Sequence, residues 1–231
     1  MQAFSNLLDR LILTPSRNGK LRLLQAYFKS QPDPVRGYGL AAITRDLDLA
    51  SVKPAMLRAL VEERIDPELF RYSYDYVGDM AETIALTWKR DFTGINEPLL
   101  LDDVVLQLQA STRANGVKLV EGWLNQLDSA GRYALIKLVT GGLRIGVSSR
   151  LAKQALAQFG DVDVIEIEEL WHGLEPPYTE LFAWLEGREP KPENLAAAPF
   201  RPVMLAHPLE QGDFEKLEPA NFSAEWKWDC I

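Results

Sequence analysis

A single cysteine, Cys230, stands in the 231 residues. One thiol cannot close an internal disulfide or build a cysteine-based zinc cluster. Only two histidines occur, His172 and His207, 35 positions apart and without a ligand-like pattern of partners. They are expected to be ordinary surface or linker residues. No apolar run approaches the ~20 residues of a membrane-spanning helix. The first residues, MQAFSNLLDRLIL, carry no basic stretch ahead of an apolar one, and Asp9 and Arg10 interrupt the apolar character early. Neither a secretory leader nor a membrane span is therefore expected, and a cytoplasmic setting fits. Repeats of fixed period and low-complexity segments are also missing.

The chain carries net charge −8, which by itself disfavours a polyanionic partner. The charge is unevenly placed. Residues 111–153 hold seven cations (Arg113, Lys118, Arg132, Lys137, Arg144, Arg150, Lys153) against Glu121 and Asp128, a net +5. Residues 154–197 hold ten acids against Arg188 and Lys191, a net −8. A basic segment can face a polyanion while an acidic one faces elsewhere, or both can be solvated helix faces.

Up to about residue 186 the apolar residues recur with helical period. Phe4, Leu7, Leu8, Leu11 and Ile12 form one stripe. Val77, Met80, Ala81, Ile84, Ala85 and Trp88 form another. Val120, Trp123, Leu124 and Leu127, then Leu151, Ala152, Ala155, Leu156 and Phe159, continue the pattern. Pro15, Pro32 and Pro34, Pro54, Pro67, Pro98, and Pro176 with Pro177 mark helix boundaries. These signals predict an all-α domain of about ten packed helices over residues 1–186. Residues 187–222 carry six prolines without sustained period and read as a linker. Residues 223–229 alternate, with Ala224, Trp226 and Trp228 opposite Glu225 and Lys227, and predict one short β-strand. A lone strand is not stable by itself, so residues 223–231 read as the start of a second domain.

Two motifs carry chemistry. The segment Lys137-Leu138-Val139-Thr140-Gly141-Gly142-Leu143-Arg144-Ile145-Gly146-Val147-Ser148 suits phosphate binding. Gly141 and Gly142 can end one helix, and Gly146 allows close backbone approach before the next. Ser148 or Ser149 can cap that next helix, whose unpaired N–H groups attract an anion. Arg144 can bridge phosphate oxygens. At the end of the chain, Glu225-Trp226-Lys227-Trp228-Asp229 places a lysine on a strand between two carboxylates. A deprotonated amine is both a nucleophile and a leaving group at phosphorus.

Both motifs, in this order, resemble bacterial ATP-dependent DNA ligases. The first is similar to the signature of the ligase DNA-binding domain. The second resembles the Lys-x-Asp-Gly adenylation motif, with Cys230 where that family has glycine; no role is read for Cys230. Two further stretches resemble the same family: Tyr76–Ala85, taken as packing, and Pro199-Phe200-Arg201-Pro202-Val203-Met204-Leu205-Ala206, the lead-in to the adenylation domain. The similarity is greatest to ligases encoded beside a DEXH-box helicase and an exonuclease.

The resemblance implies a nick-sealing enzyme of DNA repair, recombination or replication that uses ATP and Mg²⁺. Lys227 would carry AMP, with Glu225 and Asp229 in the nucleotide site. It implies sequence-independent binding of nicked duplex DNA through Lys137, Gly141, Gly142, Arg144, Gly146, Ser148 and Ser149, by a monomer associated with that helicase and exonuclease. The later adenylation motifs and the OB domain of such ligases have no counterpart in the sequence, so these 231 residues are expected to bind DNA without joining it. A helical protein-binding scaffold without a DNA or catalytic role is the alternative.

Overall fold

Proline and short polar residues set the helix boundaries. In the computed structural model, which describes residues 1–49, 51–89, 98–193, 210–213 and 215–221, twelve α-helices follow one another among the described residues. They are α1 (Gln2–Leu13), α2 (Arg17–Ser30), α3 (Val35–Thr44), α4 (Pro54–Arg64), α5 (Pro67–Val77) and α6 (Met80–Thr87). Then come α7 (Leu101–Ala110), α8 (Arg113–Gln126), α9 (Ser129–Thr140), α10 (Ser149–Gly160), α11 (Val164–Trp171) and α12 (Thr179–Leu185). Pro54 and Pro67 open α4 and α5, where the missing N–H costs nothing. Ser16, Asp66, Asp79, Thr112, Asp128, Ser148 and Asp163 each cap a helix with a side-chain oxygen. The all-α class follows from these starts and stops.

The stripe running from Val77 to Trp88 is not one helix. Gly78 takes a left-handed conformation (φ 72°) that ends α5, and Asp79 then caps α6 by accepting from the amides of Ala81 and Glu82. A residue that terminates one helix, followed at once by one that starts another, overrides the unbroken apolar period. Ile12 likewise leaves its stripe: it is 45% exposed while Phe4, Leu8 and Leu11 are buried.

Met1–Phe200 forms one compact unit. Within it α10 packs against α2, α3, α11 and α12, and α9 packs against α1, α6 and α8. The pairing of α1 with α2 joins the two groups. Phe28, Phe159 and Phe182 meet edge to face at centroid distances of 5.5–6.2 Å under α10. The Arg36 guanidinium covers the Phe182 ring at 4.4 Å. It donates to Asp33 and Glu186 and to the carbonyl of Phe28, tying α12 to α2 and α3.

The second unit is Arg201–Ile231. Its described residues form a turn, in which the Glu210 amide donates to Asp213 at 3.0 Å, and a 3-10 helix at Pro219–Asn221. The strand expected at 223–229 lies outside the described residues, as do Glu225, Lys227, Asp229 and Cys230, the lead-in at 199–206, and His207. No described helix is long and apolar enough to cross a membrane.

Candidate functional site

The glycine-rich segment turns between α9 and α10. Gly141 is left-handed (φ 66°), its amide donates to the carbonyl of Leu138, and the Gly142 amide reaches back to that of Lys137 at 3.2 Å. Two otherwise orphaned helix carbonyls are thereby satisfied. Leu143 and Ile145 are buried, at 6% and 2% exposure, so the alternation between them turns Arg144 out into solvent. Gly146 follows with φ 64°. Ser148 then caps α10, its Oγ accepting from the Leu151 amide at 3.2 Å, and Ser149 is the first helical residue.

A lysine 125 positions earlier holds this turn. Lys20, on α2 and only 8% exposed, donates from Nζ to the carbonyls of Ile145 (2.6 Å) and Gly146 (3.2 Å). A Cβ at position 146 would meet that ammonium, so glycine is required there both by φ and by the lysine. An ammonium has three N–H donors, and the two carbonyls take two of them.

The consequence is that the starts of α2 and α10 lie side by side. α10 packs extensively on α2. A cavity of about 530 Å³ opens between them, lined by Pro15, Arg17, Lys20, Gly146, Ser148, Arg150, Leu151 and Gln154. Three cations and no acid stand among those residues. Arg17 and Arg150 are both exposed. Each belongs to the first turn of a helix whose hydroxyl cap occupies a single amide: Ser16 accepts from Gly19 and Ser148 from Leu151. The remaining first-turn amides and the positive helix ends favour an anion of phosphate size. Among the described residues no cluster of three or more histidine, cysteine, aspartate or glutamate side chains is arranged to hold a metal.

The residues singled out from the sequence divide into two groups. Gly146, Ser148, Ser149 and Arg144 belong to the turn or the start of α10, with Gly146 and Ser148 lining the cavity. Gly141 and Gly142 shape the turn by ending α9. Lys137 is different: it is 6% exposed, points inward, and pairs with Asp79. A lysine so placed holds α9 to the start of α6 and presents no charge to a ligand. Arg132 is also internal, donating to the carbonyls of Leu124 (2.7 Å) and Trp88 (2.9 Å), and Lys153 stands over the Trp171 ring at 4.8 Å. The net +5 of residues 111–153 thus overstates what the surface offers. His172 is the exposed residue that ends α11.

Arg17 and Lys20 lie outside both sequence motifs. A usable signal was present: Ser16-Arg17 at the start of α2 has the same composition as Ser149-Arg150 at the start of α10.

The Lys137–Asp79 pair supports a direct test. Burial opposes ionisation of Asp79, but the Lys137 ammonium and the amides of Glu82 and Ala81 outweigh it and hold the carboxyl below the usual range. Asp79→Ala removes the cap of α6 and leaves a buried ammonium unpaired, an expected cost of about 3 kcal/mol. Asp79→Asn keeps the cap oxygen and is expected to lose about 1–2 kcal/mol less than the alanine variant. Urea denaturation of both checks this; equal losses would show that the cap contributes nothing.

No protein-family model matches the sequence, and no curated protein matches it.

Proposed function

We propose that this chain binds duplex DNA without regard to sequence, as the helical DNA-binding part of an ATP-dependent, nick-sealing ligase. One observation supports the reading above the others: the acid-free cavity between the N-termini of α2 and α10, bordered by Arg17, Lys20 and Arg150 and lying beside the 141–148 turn that carries Arg144. Backbone amides, helix ends and guanidinium groups all engage phosphate oxygens, which are the same at every base pair. The ligase part of the proposal rests on the resemblance: Lys227 as AMP carrier, Glu225 and Asp229 around the nucleotide, ATP and Mg²⁺ as cofactors, and functional association with a DEXH-box helicase and an exonuclease.

Fluorescence anisotropy with a nicked duplex at 50 and 200 mM salt tests the DNA reading. If about four phosphates are neutralised, affinity is expected to fall roughly 100-fold between the two conditions. Arg144→Ala is expected to weaken binding about tenfold, and Arg17→Ala with Arg150→Ala by more, equally on duplexes of unrelated sequence. Absence of binding at 50 mM salt would sink the reading, and unaltered binding by these variants would sink the site.

A further inference from the structure

A second concave surface, built from other helices, has the opposite chemistry. Asp9 and Ile12 of α1, Glu82, Ala85 and Leu86 of α6, and Ser129, Ala130 and Tyr133 of α9 line a groove of about 330 Å³. Its apolar lining is open to water: Ile12 is 45% and Leu86 65% exposed, and Leu13, next to Ile12 in α1, is 81% exposed. Aliphatic side chains drawn from two helices to one groove form a patch, which isolated surface leucines do not. The inward face of α1 is already supplied by Phe4, Leu7, Leu8 and Leu11, so Ile12 and Leu13 are not needed for the core.

The acids of the groove are Asp9 and Glu82. Burial, and after it the nearby Asp128, push the Asp9 carboxyl above its ordinary range, as expected of carboxylates gathered on one side. Asp128 itself caps α9, accepting from the Gly131 amide at 2.8 Å. Lys137, whose Nζ lies over the Tyr133 ring at 5.3 Å, is committed to Asp79. The start of α9 adds a modest positive end at Ser129, partly offset by its aspartate cap.

We propose that this groove docks a basic amphipathic helix of a partner protein. Apolar side chains of such a helix, spaced i, i+3/i+4, i+7, would lie along Ile12, Leu86 and the Tyr133 ring. Its lysines or arginines, whose alkyl stems cover apolar surface while the charge reaches outward, would meet Asp9 and Glu82. Charge complementarity selects this occupant: the residues lining the groove include two carboxylates and no lysine or arginine, so an acidic helix or a nucleic acid would meet like charge. The proposal stands independently of the DNA reading, because it uses none of the residues around the α2/α10 cavity.

The test uses the full chain and a fluorescent synthetic peptide with leucine at helical i, i+3/i+4, i+7 spacing and lysine elsewhere. Controls are a scrambled peptide of equal composition and a version with glutamate for lysine. The helical basic peptide is expected to bind about tenfold more tightly than the scramble, with no binding of the acidic version. Ile12→Ser with Leu86→Ser, both exposed positions, is expected to weaken binding about tenfold with an unchanged thermal midpoint. Asp9→Asn with Glu82→Gln is expected to reduce affinity several-fold and flatten its salt dependence. Glu62→Gln with Glu63→Gln, exposed on α4, is expected to change nothing. Equal binding of the scramble, or equal loss in the α4 variant, would reduce the effect to non-specific charge attraction and overturn the proposal. Self-association in sedimentation that Leu86→Ser abolishes would overturn it in favour of a second copy of the chain.

Discussion

Gly37→Ala is expected to leave little native protein. Gly37 lies within α3 where the backbone of Pro177 crosses it, and an alanine Cβ would fall on the Pro177 carbonyl. Neither side can yield easily. Position 37 is followed by buried Tyr38, Leu40 and Ala41, and Pro177 leads directly into Tyr178, 3% exposed, whose hydroxyl donates to Asp46 at 2.7 Å. Forcing a methyl group between two backbones costs about 3 kcal/mol or more, a large share of the total stability of a domain. Gly122→Ala is the matched control. It also lies inside a helix, α8, but nothing stands within 4 Å of its Cβ position. That substitution is expected to stabilise by about 0.5–1 kcal/mol. Urea denaturation of the pair separates helix propensity from packing. A Gly37→Ala protein as stable as the parent would contradict the close approach of α3 to the 176–177 turn.

Arg36→Met is expected to be the next most damaging change. The guanidinium is 4% exposed and joins five groups: two carboxylates, one carbonyl, the Phe182 ring and, through Glu186, Arg188. Methionine replaces much of its bulk but leaves Asp33 and Glu186 with only the exposed Arg188 between them, for an expected loss of about 3 kcal/mol. The variant should also change the response to acid. The hydrogen bonds from Arg36 are the main reason that the Glu186 carboxyl is held at about 2, burial opposes them, and Arg188 adds to the lowering. A carboxyl held lower in the folded state than in the unfolded chain adds stability that is fully present above its unfolded value, near 4.5, and is lost as pH falls towards 2. The parent protein should therefore lose stability steadily between about pH 4.5 and pH 2, and Arg36→Met should lose less over the same interval. Denaturation midpoints at pH 7, 4 and 2.5 decide it; parallel curves for the two proteins would show that Glu186 does not depend on Arg36.

The acidic segment at 154–197 takes on a different meaning in this light. Glu186 is bound to Arg36 and Arg188, and Glu166 to Lys191 at 2.7 Å. Part of that negative charge closes the protein's own contacts. The same is true of the basic segment, where Arg132 and Lys137 serve the interior.

The sequence by itself determined the helical class and most helix boundaries, because both are local. A hydroxyl or carboxylate before a first turn, a proline at its first position, and a glycine with positive φ at the end of α9 act on neighbours within a few residues. The outward turn of Arg144 between Leu143 and Ile145 is equally local. The inward position of Lys137 was not legible: in the sequence it is one cation of the basic segment, with the half-buried Tyr133 and the exposed Gly141 four positions to either side. Only the tertiary structure decided that Asp79, 58 residues away, would receive it, that Lys20 would cross to the carbonyls of Ile145 and Gly146, and that α2 and α10 would begin side by side. Periodicity states which face of a helix is buried and is silent about which helix covers it. The candidate site is made by such a pairing, so its glycines and serines were visible in the sequence while Arg17 and Lys20 became part of it only through packing.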